Sequence, residues 1–360
     1  MRLTRLTTLL AVSCLLALPL PSRAGTPAPP APAAATRTVK VEGPWVAIHL
    51  IHHETDADLL ALEQELPALA ARGVNVLVLE VNYGFAFRSH PELRASEAPI
   101  TREGARRFAR ACRRHGIALV PQFQAFGHQS WEKKTFPLLA KYPELDLTPG
   151  AFPGNEGIYC REWDPFNPRV NRIVFALIDE IIDAFDADAV HVGMDEVFLI
   201  GNAASPSTKG KDPAEVFAKV VNDLHGHIVG KRGRTMLMWG DRLIDAGRYD
   251  YGEWEASKNY TWPAVYLIPK DIVICDWHYE KRDSYPSVQM FLDKGFRVLP
   301  ASWKDVEASR ALIGESLGLK APRMLGHMFT TWSEQGKASE WPPLVANGGL
   351  VGKVPEGSPR

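Results

Sequence analysis

Residues 189–198 read AVHVGMDEVF, an apolar run that stops on two adjacent acids, Asp195 and Glu196. Val190, Val192 and Met194 alternate with His191, Gly193 and Asp195, the period of a β-strand with two unlike faces. The first set suits a layer of helices. The second faces a barrel interior, where Gly193 leaves room. Buried carboxylates are costly unless paired or put to use, so a strand that ends on Asp-Glu marks scaffold meeting chemistry. Glu196 has the wrong parity to share a face with Asp195 unless the strand ends at Asp195 and the chain turns. With that turn both acids reach one ligand. Two close carboxylates drive their pKa values apart, so one can stay protonated while its neighbour is charged.

The pattern extends outward from this strand. Asn167-Pro168 supplies N-cap and first-turn signals. The helix that follows repeats Val170, Ile173, Val174, Leu177, Ile178, Ile181 and Phe185 at helical spacing. Upstream, strands are expected at 45–51, 74–83 and 117–123, with helices at 57–73 and from Thr101 to Gly116. A Pro- and Gly-rich loop fills 127–167. Downstream, Asp212-Pro213 opens a helix to about Val229, and strands are expected at 234–240, 271–277, 296–302 and 323–332. Helices at 287–295 and 304–317 separate the last three. Eight strands alternating with helices predict an α/β fold, a single (β/α)8 TIM barrel over 43–340. An open doubly wound sheet is the alternative, but no Gly-rich dinucleotide loop follows the first strand. The segment 341–360 reads as a Pro/Gly-rich tail that wraps or dangles.

Composition sets the class. The chain has 360 residues, 46% hydrophobic and 23% charged, with net charge −1, which is ordinary for a globular protein and gives no support for a nucleic-acid partner. Ten Trp are notable, because Trp makes flat apolar walls for ligands as well as core. Arg2 and Arg5 precede an apolar run from Leu9 to Leu20, and SRAG offers a cut after Ala24. That is a secretory signal over 1–24, too short for a membrane span, and the expected location is secreted or periplasmic. Lipidation at Cys14 is disfavoured, since a cut there leaves a very short apolar region. Residues 25–42 form a Pro/Ala-rich linker. Cys112, Cys160 and Cys275 allow at most one disulfide, and no CxxC spacing suggests zinc.

In such a barrel the site lies at the C-terminal ends of the strands. Those ends supply His52, His53 and Glu54; Glu80, Asn82 and Tyr83; Gln122, Gln124 and His128. After Asp195 and Glu196 come Trp239 and Asp241, then Asp276, Trp277, His278 and Tyr279. Trp303, Asp305, Trp332 and Glu334 complete the rim. Acids recur with tryptophans. A pyranose offers one apolar face for a Trp and hydroxyls that donate to carboxylates, so the mixture suits a sugar.

HVGMDEV resembles the His-x-Gly-Gly-Asp-Glu signature of glycoside hydrolase family 20, the β-N-acetylhexosaminidases. VPQFQAFGHQSW resembles that family's third-strand segment ending in Pro-Gly-His. The Asn-Pro-led helix and TTWSEQ, similar to the eighth-strand Trp-x-Glu, extend the likeness over most of 45–340. The resemblance implies a retaining, substrate-assisted hydrolase of glycans with a terminal N-acetylhexosamine, needing no metal and no cofactor. Glu196 would protonate the leaving oxygen and then activate water. Asp195 would orient the 2-acetamido N–H and stabilise the cyclic cation. Trp277 and Trp332 would wall the sugar, Glu334 would hold its hydroxyls, and His128, His191, Trp239, Tyr279, Trp303 and Asp305 complete the expected binding set. The sequence departs from the pattern at several points. Met194 replaces the second glycine, and Gln124 stands where the third-strand acid supports the catalytic glutamate. IHHE occupies the place of the first-strand Arg, and Trp303 that of the Tyr on the acetamido carbonyl, for which Tyr279 is a substitute. The small α/β domain that usually precedes the barrel has no counterpart in this sequence.

Two other readings compete. One is a glycan-binding barrel with little or no catalysis. The other is a metal-dependent hydrolase on His52, His53 and Glu54. Adjacent residues on a strand point to opposite faces, which counts against those histidines sharing an ion.

Overall fold

The computed structural model describes residues 37–332 and 336–352. The expected signal segment, residues 25–36 of the linker, and Glu334 lie outside them. Eight parallel strands close into a barrel in which each pairs with its sequence neighbours and the last returns to the first. They are β1 (Trp45–Leu50), β2 (Val76–Glu80), β3 (Ala118–Ala125), β4 (Ala189–Gly193), β5 (Thr235–Trp239), β6 (Val273–Trp277), β7 (Arg297–Ser302) and β8 (Gly326–Thr330). Closure runs from Trp45 opposite Gly326 to His49 opposite Thr330.

The strands sort their side chains by parity. Val46, Ile48 and Leu50 of β1 and Val190 and Val192 of β4, with Met194 just beyond it, face the helices. Trp45 and Ala47, Val76 and Val78, Leu237 and Trp239, and Val273, Cys275 and Trp277 fill the interior. That division is the face assignment expected for residues 190–195. Residues 37–41 cross the N-terminal end of the barrel. Arg37 N donates to the Gly233 carbonyl at 2.8 Å, and Val39 and Val41 pack on the interior cluster.

The helices are α1 (Asp56–Ala71), α2 (Arg102–Arg114), α3 (Pro168–Phe185), α4 (Pro213–His225), α5 (Pro286–Asp293), α6 (Val306–Gly318) and α7 (Pro342–Val351). Their starts follow from local chemistry. Thr55 and Asp58 form a capping box at α1, Thr101 accepts from Gly104 N at α2, and Asn167 accepts from Arg169 N at α3. All seven apolar positions read from 170 to 185 are buried. After α4 the chain widens into a π-helical turn, Gly226–Lys231. The loop 127–167 holds a small hairpin, Ser130–Trp131 against Lys134–Thr135, and a one-turn helix, Pro137–Lys141. Part of the expected tail is α7, with Leu344 and Val351 in the outer core.

Several strands are shorter than expected, β2 ending at Glu80 and β8 spanning Gly326–Thr330, and two of the differing ends matter for the site. β3 continues to Ala125 with one extra residue between Gln122 and Ala125 relative to β4, a bulge that re-aims the chain end. β4 stops at Gly193 rather than Asp195. Cys112, Cys160 and Cys275 are free thiols, all buried. Among the described residues no helix is long and apolar enough to cross a membrane.

Candidate active site

The turn after β4 brings the two acids together. Gly193, Met194 and Glu196 all have positive φ (66°, 76° and 51°), so the chain leaves the strand and coils over the barrel mouth. Glycine suits the first position: its φ is positive, and a Cβ there would sit 2.0 Å from Gln124 Oε1, so the Gln124 amide would have to shift. His52, Asn82, His128 and Trp332, at the ends of other strands or the loops after them, also have positive φ. These four and Glu196 line one cavity of about 390 Å³ at the C-terminal mouth. Backbone conformations this sparsely populated persist where the surrounding structure over-determines them, and they concentrate at sites that work.

Asp195 and Glu196 converge on His128. Its Nε2 lies 3.3 Å from Asp195 Oδ2 and 3.1 Å from Glu196 Oε2. Glu196 therefore points into the cavity and not among the outer helices. The Asp195 carboxyl is pushed up by burial, but His128 and the Gln124 amide outweigh this and hold it below the usual range. Gln124 Nε2 donates to Asp195 Oδ1 at 2.6 Å, so this residue supports the aspartate of the pair. Burial favours a neutral His128, yet the facing Asp195 and Glu196 carboxylates prevail and raise it well above the usual imidazole range.

A hydrogen-bonded chain runs down from Gln124 into the barrel. Gln122 Nε2 donates to Glu80 Oε2 at 3.0 Å and to Gln124 Oε1 at 3.2 Å, and Gln122 Oε1 contacts His49 Nε2 at 3.0 Å. Burial pushes the Glu80 carboxyl up to about 7, which makes it a third acid of the cavity wall.

Glu196 is held from the other side through its backbone. Its N–H donates to Asp241 Oδ2 at 2.9 Å, and Asp241 also accepts from Arg242 Nε at 2.7 Å and Trp277 Nε1 at 3.4 Å. Asp241 and Arg242 are both buried, and burial raises the Asp241 carboxyl to about 6. Cys160 Sγ reaches the Glu196 carbonyl at 3.6 Å, tying the 127–167 loop to the same turn.

Aromatic rings form the remaining wall. Trp277 stacks on Tyr279 at 4.8 Å between centroids, and Tyr279 meets Trp303 at 5.6 Å. Trp332 donates to the Tyr279 hydroxyl at 2.6 Å. The Trp303 indole N–H is buried and has no hydrogen-bond partner among the described residues.

Of the residues read from the sequence, Asp195, Glu196, His128, Trp277, Tyr279, Trp303 and Trp332 line the cavity. His191 and Trp239 do not. They are fully buried beneath it, with ring centroids 4.6 Å apart, and form the floor on which Trp332 rests. Asp305 is elsewhere: its carboxylate caps α6, accepting from Glu307 N and Ala308 N at 2.8 Å each. An exposed acid immediately before a helix is spent on that cap, which removes it from the expected set. His53 turns back to the Ile51 carbonyl at 2.8 Å, so His52, His53 and Glu54 make no shared ligand set. Among the described residues, the atoms close enough to share an ion are His128 Nε2 and one oxygen each of Asp195 and Glu196. Sequence reasoning missed Trp131, Phe136 and Tyr159, which reach the cavity from the 127–167 loop. Their density of aromatics in a loop was the available signal.

The fold and the pocket define the class: a (β/α)8 barrel with an acid pair in an aromatic-walled cavity at its C-terminal mouth. The chain belongs to glycosyl hydrolase family 20, whose catalytic domain matches residues 64–340. It is 25% identical over 201 residues to a lacto-N-biosidase of Bifidobacterium bifidum, a match covering 52% of this chain and 15% of that protein. A chitobiase of Flavobacterium johnsoniae superposes with a TM-score of 0.62 at 19% identity, covering 88% of this chain and 49% of that one. A β-N-acetylhexosaminidase of Bacteroides fragilis gives 0.60 at 13% identity, covering 89% and 67%. The chain thus spans about half the length of the chitobiase and a smaller share of the lacto-N-biosidase.

Proposed function

We propose that the protein is a secreted, exo-acting β-N-acetylhexosaminidase that works by substrate-assisted retention. The observation that carries this is the convergence of Asp195 and Glu196 on one point of a sugar-sized cavity, each within 3.3 Å of His128 Nε2. Family membership supports the same chemistry, as does its structural likeness to a chitobiase and a β-N-acetylhexosaminidase.

Glu196 acts as general acid on the glycosidic oxygen. The substrate's 2-acetamido oxygen attacks the anomeric carbon as the C–O bond breaks, giving a cyclic cation and the free leaving alcohol. Glu196, now deprotonated, takes a proton from water as that water opens the ring. Asp195, held ionised by Gln124 and His128, accepts from the acetamido N–H and stabilises the positive charge. His128, with Nε2 at ion-pair distance from both carboxylates, balances their charge. Trp303 supplies the acetamido carbonyl's donor, since its buried N–H has no hydrogen-bond partner among the described residues. Trp277 and Trp332 bracket the ring, and Glu334 binds its hydroxyls.

The test compares aryl β-glycosides with and without the 2-acetamido group, for wild type, Asp195→Asn and Glu196→Gln. Activity is expected only with the acetamido group, and it should fall by about two orders of magnitude or more in each variant. Equal turnover of both substrates would sink the substrate-assisted step. Equally poor hydrolysis by wild type and Glu196→Gln would leave a glycan-binding barrel instead. Secretion is tested by the N-terminus of exported protein, expected at Gly25.

A further inference from the structure

The turn that carries the acid has no regular structure of its own. From Met194 to Leu199 the chain is neither helix nor strand, and Glu196 sits at a φ of 51°, where a residue with a side chain is seldom found. Side chains from the loops after β3 and β5 hold its backbone instead. The Glu196 N–H goes to Asp241. The Val197 carbonyl accepts from Asn259 Nδ2 at 2.9 Å. Phe198 N and Leu199 N, at 2.6 and 2.7 Å, both donate to one oxygen of Glu162.

Glu162 lies outside the cavity lining and is fully buried. Its own segment is fixed on both sides. The Glu162 carbonyl accepts from Leu147 N at 2.9 Å, the Arg161 carbonyl accepts from Gln129 N at 2.9 Å, and Asp164 N donates to the Leu145 carbonyl at 2.7 Å. Arg242 braces the same region. It donates to the carbonyls of Glu253, Trp254 and Ala256 at 2.6 to 2.9 Å and to Asp241, and its guanidinium lies 4.7 Å from the Phe198 ring. Burial raises the Glu162 carboxyl to about 7, against the two N–H groups and the charge of Arg242. Burying a carboxyl carries a desolvation cost that an apolar residue of similar size avoids, so stability alone is a poor account of this one. Its evident service is to hold two successive N–H groups just past the acid.

We propose that Glu162 is a positioning residue for the catalytic acid: it fixes the turn from behind, so that the Glu196 carboxyl stays aimed at the glycosidic oxygen. The inference rests on Glu196 being that acid. With residues 198 and 199 released, the Glu196 backbone is free to relax to the ordinary negative-φ region, and that rotation swings the side chain away. A general acid must stay within hydrogen-bond reach of the oxygen it protonates, and a misplacement of about 1 Å is enough to lose rate. Asp195 is held separately, by Gln124 and His128, so the loss falls on protonation of the leaving group rather than on the acetamido group.

The leaving group reports this directly, because a dinitrophenolate departs with little help from a proton and a methoxyphenolate needs one. The experiment measures kcat/KM, which covers the step that breaks the glycosidic bond, for the 3,4-dinitrophenyl and 4-methoxyphenyl N-acetyl-β-glucosaminides. In Glu162→Ala the methoxyphenyl-to-dinitrophenyl ratio should fall about tenfold or more, a part of the roughly hundredfold or greater fall expected in Glu196→Gln. Glu162→Asp, which withdraws the carboxylate but keeps its charge, should show a smaller fall and serves where the alanine variant does not fold. Glu162→Gln keeps the accepting oxygen and should recover most of the ratio. A folded Glu162→Ala or Glu162→Asp that loses both substrates equally, or neither, makes Glu162 structural only and overturns the proposal, while a selective fall in Glu196→Gln leaves the assignment of the acid standing. An unchanged ratio in Glu196→Gln overturns that assignment, and the positioning role with it.

Discussion

Two single residues set the chemistry apart from the acid pair itself. In the proposed mechanism Trp303 offers an indole donor to the acetamido group, and Trp303→Phe removes the N–H while keeping an aromatic wall. Turnover of an N-acetylated aryl glycoside should fall about ten- to a hundredfold, the worth of one hydrogen bond to a developing charge. A loss seen only in KM would instead make Trp303 a wall and no more. Asp241 is the second. Its two oxygens hold Glu196, Arg242 and Trp277, and Asp241→Ala leaves the Arg242 guanidinium buried without its carboxylate. Breaking a buried pair in this way costs about 3–5 kcal/mol, to be read as a fall in denaturation midpoint. A stability equal to wild type would show that Arg242 is satisfied by its three carbonyls alone. At this scale the sequence was informative where residue type and position both constrain chemistry. Asp195 and Glu196 stand out because two acids end an apolar strand. Asp305 misled because an acid after a strand is also an acid before a helix, and the cap claims it. Asp241 was visible at a strand end, but its hold on a backbone N–H depends on the turn at 193–196, which no local pattern announces.

At the scale of elements, the end of β4 decides the site. The sequence placed the strand at 189–195, since hydrophobic alternation persists through Asp195. The chain instead leaves the sheet at Gly193, because a glycine with φ of 66° faces Gln124 from the β3 bulge. Alternation encodes which face a side chain takes and says little about where hydrogen bonding stops. The helix starts were read more accurately, because Thr101, Asn167 and Asp212 each cap through their own side chains. The same logic gives a prediction. Gly193→Ala forces both an unfavourable φ and a collision with Gln124 Oε1, so it should lower stability by about 1–3 kcal/mol and reduce turnover as Asp195 loses its amide donor. Adding Gln124→Ala opens the space, and the double variant should regain part of the stability, a coupling beyond additivity. Strictly additive losses would place the strain in the backbone alone.

For the whole molecule, the barrel interior binds its ionisable groups at a cost that pH can reveal. Burial lowers His49 to about 4 and His191 and His327 to about 3, so all three are neutral in the fold. The unfolded chain protonates them near 6.5 and the folded one does not, so each withdraws stability as pH falls from about 6.5. Burial also raises Glu80 and Glu162 to about 7 and Asp241 to about 6. These acids keep protons in the fold that the unfolded chain has lost, so each returns stability as pH falls from about 7 toward 4, opposing the histidines. Below about 4 the acids are protonated in both states and their contribution is constant, while the histidines still lose ground down to about 3. On the alkaline side, burial favours a neutral His278, but Asp276 and Glu255 prevail and raise it to about 9. Its folded pKa exceeds the unfolded one, so its stabilisation is complete below about 6.5 and disappears as pH rises through 9. Calorimetric melting temperatures should therefore form a plateau from about pH 5 to 6.5, fall steeply below about 4, and decline more gently toward 9. His278→Gln should flatten the alkaline limb and leave the acid limb in place. An alkaline limb that survives this change would assign it to His128, whose proton the active-site carboxylates also hold in the fold.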